Sequence, residues 1–365
     1  MRPNVSRLTS LLTHESQEVR RQVVATLGRI GGEAAQAVPA LARRLGDSSP
    51  DVRAQAAIAL GEIGPQAASS IPVLMTRLED PVAQVRTYVA WALGRMGGGA
   101  TPAVSSLARM LRDPDKLVRV TSALALERIG KDHAVTDAVP ALTECLTTDP
   151  DVGVRKAVIT ALGGLGEAAE PAVPALAVAL DSADEEVRER ATWALASIGS
   201  GASAALDRLA LLLNDPSPDV RTQAAVALGR IGPRARSTAQ QLTHLLRDDI
   251  FYVRQAAATA LAEMGRCAVE HVAALLSSAD PSHREAAVSV IGRVGTRSPE
   301  TVPLLMARLE DSDVFVRLRA SECLGWLGSA AGAATEALER LVADAGDDDI
   351  VADAAAQALA SIRAE

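Results

Sequence analysis

The sequence predicts an all-α fold, an α-solenoid of about eleven two-helix repeats. One 13-residue segment recurs along the chain, as "VRAQAAIALGEIG" (52–64), "VRTYVAWALGRMG" (85–97), "VRERATWALASIG" (187–199) and "VRTQAAVALGRIG" (220–232). Its opening valine returns at 19, 52, 85, 118, 154, 187, 220, 253, 316 and 351, with His283 in that place once, and seven of the ten intervals are 33 residues. Self-similarity at a fixed period of this length marks stacked supersecondary units. Composition agrees. Ala, Leu and Val supply most of the apolar content, and only 2% of residues are aromatic, which favours closely packed helices.

Each unit opens with a first helix, such as "AVPALARRLGD" (37–47) or "SIPVLMTRLED" (70–80). Its apolar residues fall at helical spacing, and proline stands in the first turn, where a missing N–H costs little. A turn rich in Asp, Ser and Pro follows, for example "GDSSPD" or "NDPSPD". The second helix then runs from the valine to a closing isoleucine, and the next glycine (Gly31, Gly64, Gly97) marks its C-terminal end. A helical hairpin cannot bury both faces alone, so neighbours must stack. The intervals of 36, 30 and 35 residues read as changes of length in turns.

The Asp that ends the first helix (Asp47, Asp80, Asp113, Asp149, Asp215, Asp248, Asp311) and the Val-Arg that opens the second resemble the HEAT-repeat family, in the short-repeat form also found in phycobilisome-lyase-like proteins. The resemblance covers essentially the whole chain, residues 1–365, as a single array, and implies a right-handed superhelix with the second helices on its concave face. It also implies a structural ladder between successive repeats. The ladder would join those aspartates to Arg53, Arg86, Arg119, Arg155, Arg188, Arg221, Arg254 and Arg317. Function is not specified by it, because HEAT-like arrays serve as adaptors, transport factors, DNA glycosylases, lyase subunits and hydroxylases.

The terminal units, about 1–31 and 332–365, read as caps. His14 replaces the recurrent Asp in the first, while the last lacks the Arg and has Arg363 where glycine recurs, so the chain is expected to be whole.

Numbering the second helix from its valine as position 0, positions 0, 4, 7, 8 and 11 hold Val, Ala, Ala, Leu and Ile and form the expected core. Positions 2, 3, 6 and 10 lie on the opposite arc and vary, so they are free to specify a partner. Tyr88 and Trp91 fall on this arc at positions 3 and 6, with Arg95 one turn beyond, within reach for cation–π stacking. Trp193 is at position 6 and Trp326 at position 10. Ile58 and Leu124 occupy position 6 in the units beside Trp91, and Arg128 stands at the rim. Trp, Tyr and Arg beside exposed aliphatics have the composition of an interface hot spot. The alternative is that the rings pack in the groove between adjacent second helices.

Over units 1 to 10 the variable positions carry Arg21, Arg29, Arg95, Arg128, Lys156, Arg190, Arg230, Arg293 and Arg319 against Glu62, Glu189, Glu263, Glu285 and Glu322. That is nine minus five, or +4, in a chain whose net charge is −8. So mild a basic bias could receive an acidic protein segment or nucleic-acid phosphates, and it is equally what a solvated helix surface of mixed charge carries.

Catalysis is not indicated. The three cysteines (Cys145, Cys267, Cys323) are scattered, and no P-loop, G-x-S-x-G or zincin pattern is present. The iron-dependent hydroxylase branch of the resembled family uses several His-Glu pairs, whereas this chain has one, His14-Glu15. Of the remaining histidines (His133, His244, His271, His283), only His271 lies near a cysteine, Cys267, and no second pair completes a site. No metal or cofactor is therefore expected. The N-terminus lacks a secretory signal, and no run reaches membrane-span length, so a cytoplasmic location is expected. The reading is a non-enzymatic scaffold holding another protein or peptide on its concave face through Ile58, Tyr88, Trp91, Arg95, Leu124, Arg128, Trp193, Arg230 and Trp326. Nucleic acid is not an expected partner, and the oligomeric state is open. A phycobilin-lyase-like chromophore handler or a HEAT-like DNA glycosylase stands as the alternative.

Overall fold

The computed structural model describes residues 5–130, 135–343 and 350–364, and His133 lies outside them. The chain divides into two compact units, Met1–Ile198 and Gly199–Glu365. Among the described residues every regular element is helical. The second helices are numbered here by repeat: α1 Gln17–Ile30, α2 Pro50–Ile63, α3 Ala83–Arg95, α4 Lys116–Gly130, α5 Val152–Gly164, α6 Glu185–Ile198, α7 Pro218–Ile231, α8 Phe251–Met264, α9 Pro281–Val294, α10 Val314–Trp326 and α11 Ile350–Arg363.

The first helices are shorter than the sequence pattern implies. They cover Val38–Arg44 and Ile71–Arg77, and a seven-residue 3-10 stretch precedes each, Gly31–Ala37 and Gly64–Ser70. Two residues explain the division. Gly64 has φ 73°, a conformation costly for any side chain, and it ends α2. Pro72, the second residue of Ile71–Arg77, lacks an N–H and so begins a fresh helix rather than continuing the tighter coil. Between them, small residues close i→i+3 turns.

Packing within each compact unit follows the predicted core. Val52, Ala56, Ala59 and Leu60 of α2 are fully buried, as are Val220, Ala224, Ala227 and Leu228 of α7. Positions 5 and 9 are buried as well: Ala57 and Ala225 have no exposure, and Gly61 and Gly229 are enclosed. Within each compact unit a second helix packs against the neighbouring second helices of the array, so it buries its flanks besides the face toward its own first helix. Glycine at position 9 sets the spacing. A β-carbon on Gly94 would stand 2.8 Å from Cα of Ala125, and one on Gly229 would stand 2.8 Å from Cα of Ala260.

Ion pairs bind consecutive repeats. Arg20 Nε donates to Asp47 Oδ2 at 2.8 Å and Nη2 donates to Oδ1 at 2.8 Å. The same fork joins Arg53 to Asp80, Arg86 to Asp113, Arg119 to Asp149, Arg221 to Asp248 and Arg284 to Asp311. In each pair the arginine belongs to one repeat and the aspartate to the next. The third nitrogen, Nη1, donates to carbonyls of the turn before its own helix, as from Arg53 to the Asp47 oxygen at 3.0 Å. The aspartate also holds its own turn, with Asp80 Oδ1 accepting the Val82 N–H at 3.0 Å. Burial alone would raise the Asp47, Asp80 and Asp248 carboxyls. The hydrogen bonds from arginine and backbone outweigh it, and all three titrate below the usual carboxylate range. For Asp311 the bond from Arg284 is the largest influence and acts in the same direction.

His14 shows why the first repeat can dispense with the aspartate. Its Nδ1 accepts the Ser16 N–H at 3.0 Å, which is the turn-holding half of the aspartate's role.

Candidate functional site: the second-helix face

The side chains singled out in the sequence lie on successive second helices, and they are less exposed than a view of one helix predicts. Ile58, Tyr88, Trp91 and Leu124 are all half-buried. The two tryptophans at position 6 point into the groove between their own helix and the preceding one. The six-membered ring of Trp91 lies against Gly61 of α2, so closely that a β-carbon on Gly61 would be 2.4 Å from Cζ3. Trp193 repeats the arrangement on α5, where a β-carbon on Gly163 would be 2.2 Å from Cζ3. Both tryptophans therefore have groove-packed rings, and each sits where the previous helix carries glycine at position 9. Trp193 still leaves 38% of its surface exposed.

Position 10 is the outward one. Arg95, Arg128 and Arg230 are exposed there, and the Arg95 guanidinium stands 5.8 Å from the centroid of the Trp91 ring. At that distance the cation covers the ring face that the helices leave open. Trp326, also at position 10, is 59% exposed. It borders a cavity of about 400 Å³ between α10 and α11, with Arg319, Glu322, Ile350, Asp353 and Gln357 among the lining. The structure thus brings Ile58, Tyr88, Trp91, Arg95, Leu124 and Arg128 onto three consecutively packed helices, α2 to α4. Trp193 is on α6 of the same compact unit, while Arg230 and Trp326 belong to the other.

The basic bias of this face is largely cancelled locally. Arg21 pairs with Glu18 at 2.7 Å, Lys156 with Glu186 at 2.6 Å and Asp184 at 3.0 Å, and Arg190 with Glu186 at 2.6 Å. These carboxylates precede position 0 and escape a tally restricted to the variable positions. Arg319 is shared between Glu285 and Glu322. The remaining exposed aromatics, Phe251, Tyr252 and Phe315, occupy the first turns of α8 and α10.

The described residues contain no group of three His, Cys, Asp or Glu side chains able to hold a metal ion. His271 Nδ1 is 2.8 Å from the Cys267 carbonyl oxygen, and the Cys267 thiol donates to the Met264 oxygen, so the two side chains do not converge. Burial pushes the thiols of Cys145 and Cys323 up, to about 11 and about 12, which keeps both protonated at neutral pH. No helix among the described residues is long and apolar enough to cross a membrane.

The pattern described as HEAT repeats matches residues 5–94, 38–127, 71–163, 139–210, 206–276 and 269–360, six overlapping windows along the chain. The chain belongs to the HEAT-repeat family. Among curated proteins none matches it. Among solved structures, this HEAT-repeat chain is similar to an engineered protein, at 23% identity over 99% of both chains with a TM-score of 0.52. It is similar to importin beta at 17% identity over 99% of this chain and 55% of that one, TM-score 0.61. It also resembles the Kap95:Nup1 complex at 14% identity over 99% of this chain and 56% of that one, TM-score 0.64. The chain spans just over half the length of the last two, and at these identities the likeness establishes the α-solenoid fold.

Proposed function

We propose that the protein is a non-enzymatic scaffold that holds another protein along the face made by its second helices, with α2 to α4 as the principal contact. One observation carries this reading. Within a framework that repeats almost residue for residue, position 6 holds Ile58, Trp91 and Leu124 in three consecutive helices, and exposed Arg95 and Arg128 stand beside them. A ring anchored from below and capped by a guanidinium presents a rigid, amphipathic contact at low entropic cost, the property that makes Trp, Tyr and Arg dominate interfaces. Membership of a repeat family whose solved relatives include a karyopherin in complex with a second protein supports the same class of role.

The test is affinity capture from nuclease-treated lysate with three proteins side by side: wild type, Tyr88→Ala/Trp91→Ala, and Arg95→Glu/Arg128→Glu. The arginine pair is exposed, so its replacement leaves the groove packing in place. A protein retained by wild type and lost by both variants, with helical content by circular dichroism unchanged, is the expected result. Capture of the same set by all three would sink the assignment of the site.

A further inference from the structure

Among the described residues, two rungs of the ladder have serine in place of their aspartate, and the arginine of one lines a cavity. Ser182 and Ser278 stand at the places that aspartate fills elsewhere, so Arg155 and Arg254 keep only carbonyl bonds through Nη1 among the described residues. Ser278 retains the aspartate's hold on its own turn, its Oγ accepting the Asp280 N–H at 3.2 Å, while the hydroxyl also meets His283 Nδ1 at 3.1 Å. It is too short to reach back to the preceding arginine. The Nε and Nη2 edge of Arg254, the edge that grips two carboxylate oxygens in six other rungs, is left without a carboxylate. The same stretch is where the repeat shortens to 30 residues, between Val253 and His283.

Arg254 lines a cavity of about 200 Å³ between α8 and α9, together with Phe251, Gln255, Ser282, Ser289 and Arg319. Phe251 is 65% exposed, and the Arg254 guanidinium stands 5.7 Å from its ring centroid, which holds the fork in place and offers an apolar platform beside it. Glu285 also lines the cavity, and Arg319 Nη2 binds it at 3.3 Å. Arg319 is thus held by Glu285 and, outside the lining, by Glu322, whereas no carboxylate of the described residues grips the Arg254 fork.

We propose that this open rung binds a carboxylate side chain of a partner polypeptide. An acidic segment with an apolar residue beside its Asp or Glu would supply from outside the oxygen pair that Asp80 or Asp311 supplies from within. The planar guanidinium fork matches a carboxylate bidentately, and the protein itself makes that match at Arg20, Arg53, Arg86, Arg119, Arg221 and Arg284. The proposal rests on the reading of the protein as a partner-binding scaffold, but it uses a different surface in the other compact unit.

The probe is a fluorescently labelled peptide of alternating leucine and glutamate, compared with its leucine–glutamine counterpart by anisotropy. The acidic peptide is expected to bind wild type saturably, and the amide peptide, Arg254→Gln and Ser278→Asp each to weaken binding by about tenfold or more, the scale of a lost charge-assisted hydrogen bond. Ser278→Asp is the sharper variant, because it fills the rung from inside and should melt no lower than wild type. Tyr88→Ala/Trp91→Ala should leave the peptide affinity unchanged, so this site and the α2–α4 contact can fail separately. Equal binding of the acidic peptide to wild type and Ser278→Asp would overturn the proposal. So would equal binding of the two peptides, no binding to wild type, or loss of binding in the Tyr88→Ala/Trp91→Ala protein.

Discussion

The packing of Trp91 on Gly61 makes a prediction that a double-mutant cycle can decide. Gly61→Ala places a methyl group 2.4 Å from Cζ3 and 2.8 Å from Cε3 of Trp91, and 3.0 Å from Cα of Ala92. Replacing a mid-helix glycine by alanine gains about 1 kcal/mol in helix propensity. Overpacking a filled groove costs about 1–3 kcal/mol. In wild type the substitution should therefore be destabilising by up to about 2 kcal/mol. With Trp91→Ala already made, both ring contacts are gone and only the approach to Ala92 remains, so the propensity gain should roughly cancel the cost. The expected coupling is up to about 2 kcal/mol, in the range found for residues in direct contact.

The assay is urea unfolding of wild type, Gly61→Ala, Trp91→Ala and the double variant, followed by far-ultraviolet circular dichroism and compared by midpoint. Gly94→Ala is the control. Its new methyl would meet the Ala125 backbone at 2.8 Å with no tryptophan ring in the way, so its cost should not depend on Trp91. A Gly61→Ala penalty of the same size with and without Trp91 would refute the argument. The ring would then not be seated on Gly61, and the rigid contact invoked for partner binding would lose its foundation.

Two further outcomes follow from the ladder. Asp80→Asn removes the partner of Arg53 where both side chains are nearly enclosed, at 1% and 12% exposure, and should destabilise the protein by about 2–4 kcal/mol, read from the same urea midpoints. The folded-state pKa values of Asp47, Asp80, Asp248 and Asp311 are depressed, so their contribution is complete above the unfolded value near ~3.9 and is lost as pH falls through the lower folded values. Thermal melts should thus hold level down to about pH 5 and drop steeply below about pH 4, and a midpoint unchanged to pH 2 would contradict the role given to the rungs.

Much of this was legible because the chain is its own alignment. Val52, Ala56, Ala59 and Leu60 recur at the same offsets in repeat after repeat, and helical geometry then puts them on one side. The aspartates and arginines recur in the same way. What a single-helix projection misses is the neighbour. Position 6 looks exposed on an isolated α3, yet Trp91 is half-buried because α2 stands beside it with a glycine at the level of the ring. The charge of the face was misjudged for a related reason: Glu18, Asp184 and Glu186 lie outside the positions counted and still reach Arg21, Lys156 and Arg190. The 3-10 stretches escaped because small residues carry no hydrophobic periodicity to reveal them.

The missing information was nevertheless in the sequence, spread over two repeats at a time. A tryptophan at position 6 is accommodated when the preceding repeat has glycine at position 9, and both cases, Gly61 with Trp91 and Gly163 with Trp193, obey that pairing. A ladder arginine is satisfied when the following repeat has aspartate five residues before position 0, and Arg254 fails this because Ser278 is there. Reading each repeat alone classifies Arg254 as one more structural arginine, indistinguishable from Arg53 or Arg86. Reading it against its successor isolates it, since the chemistry that makes the ladder stable elsewhere leaves this fork open beside an exposed Phe251. In a solenoid the unit of inference is the pair of neighbours, because side-chain partners belong to the interface and not to the repeat.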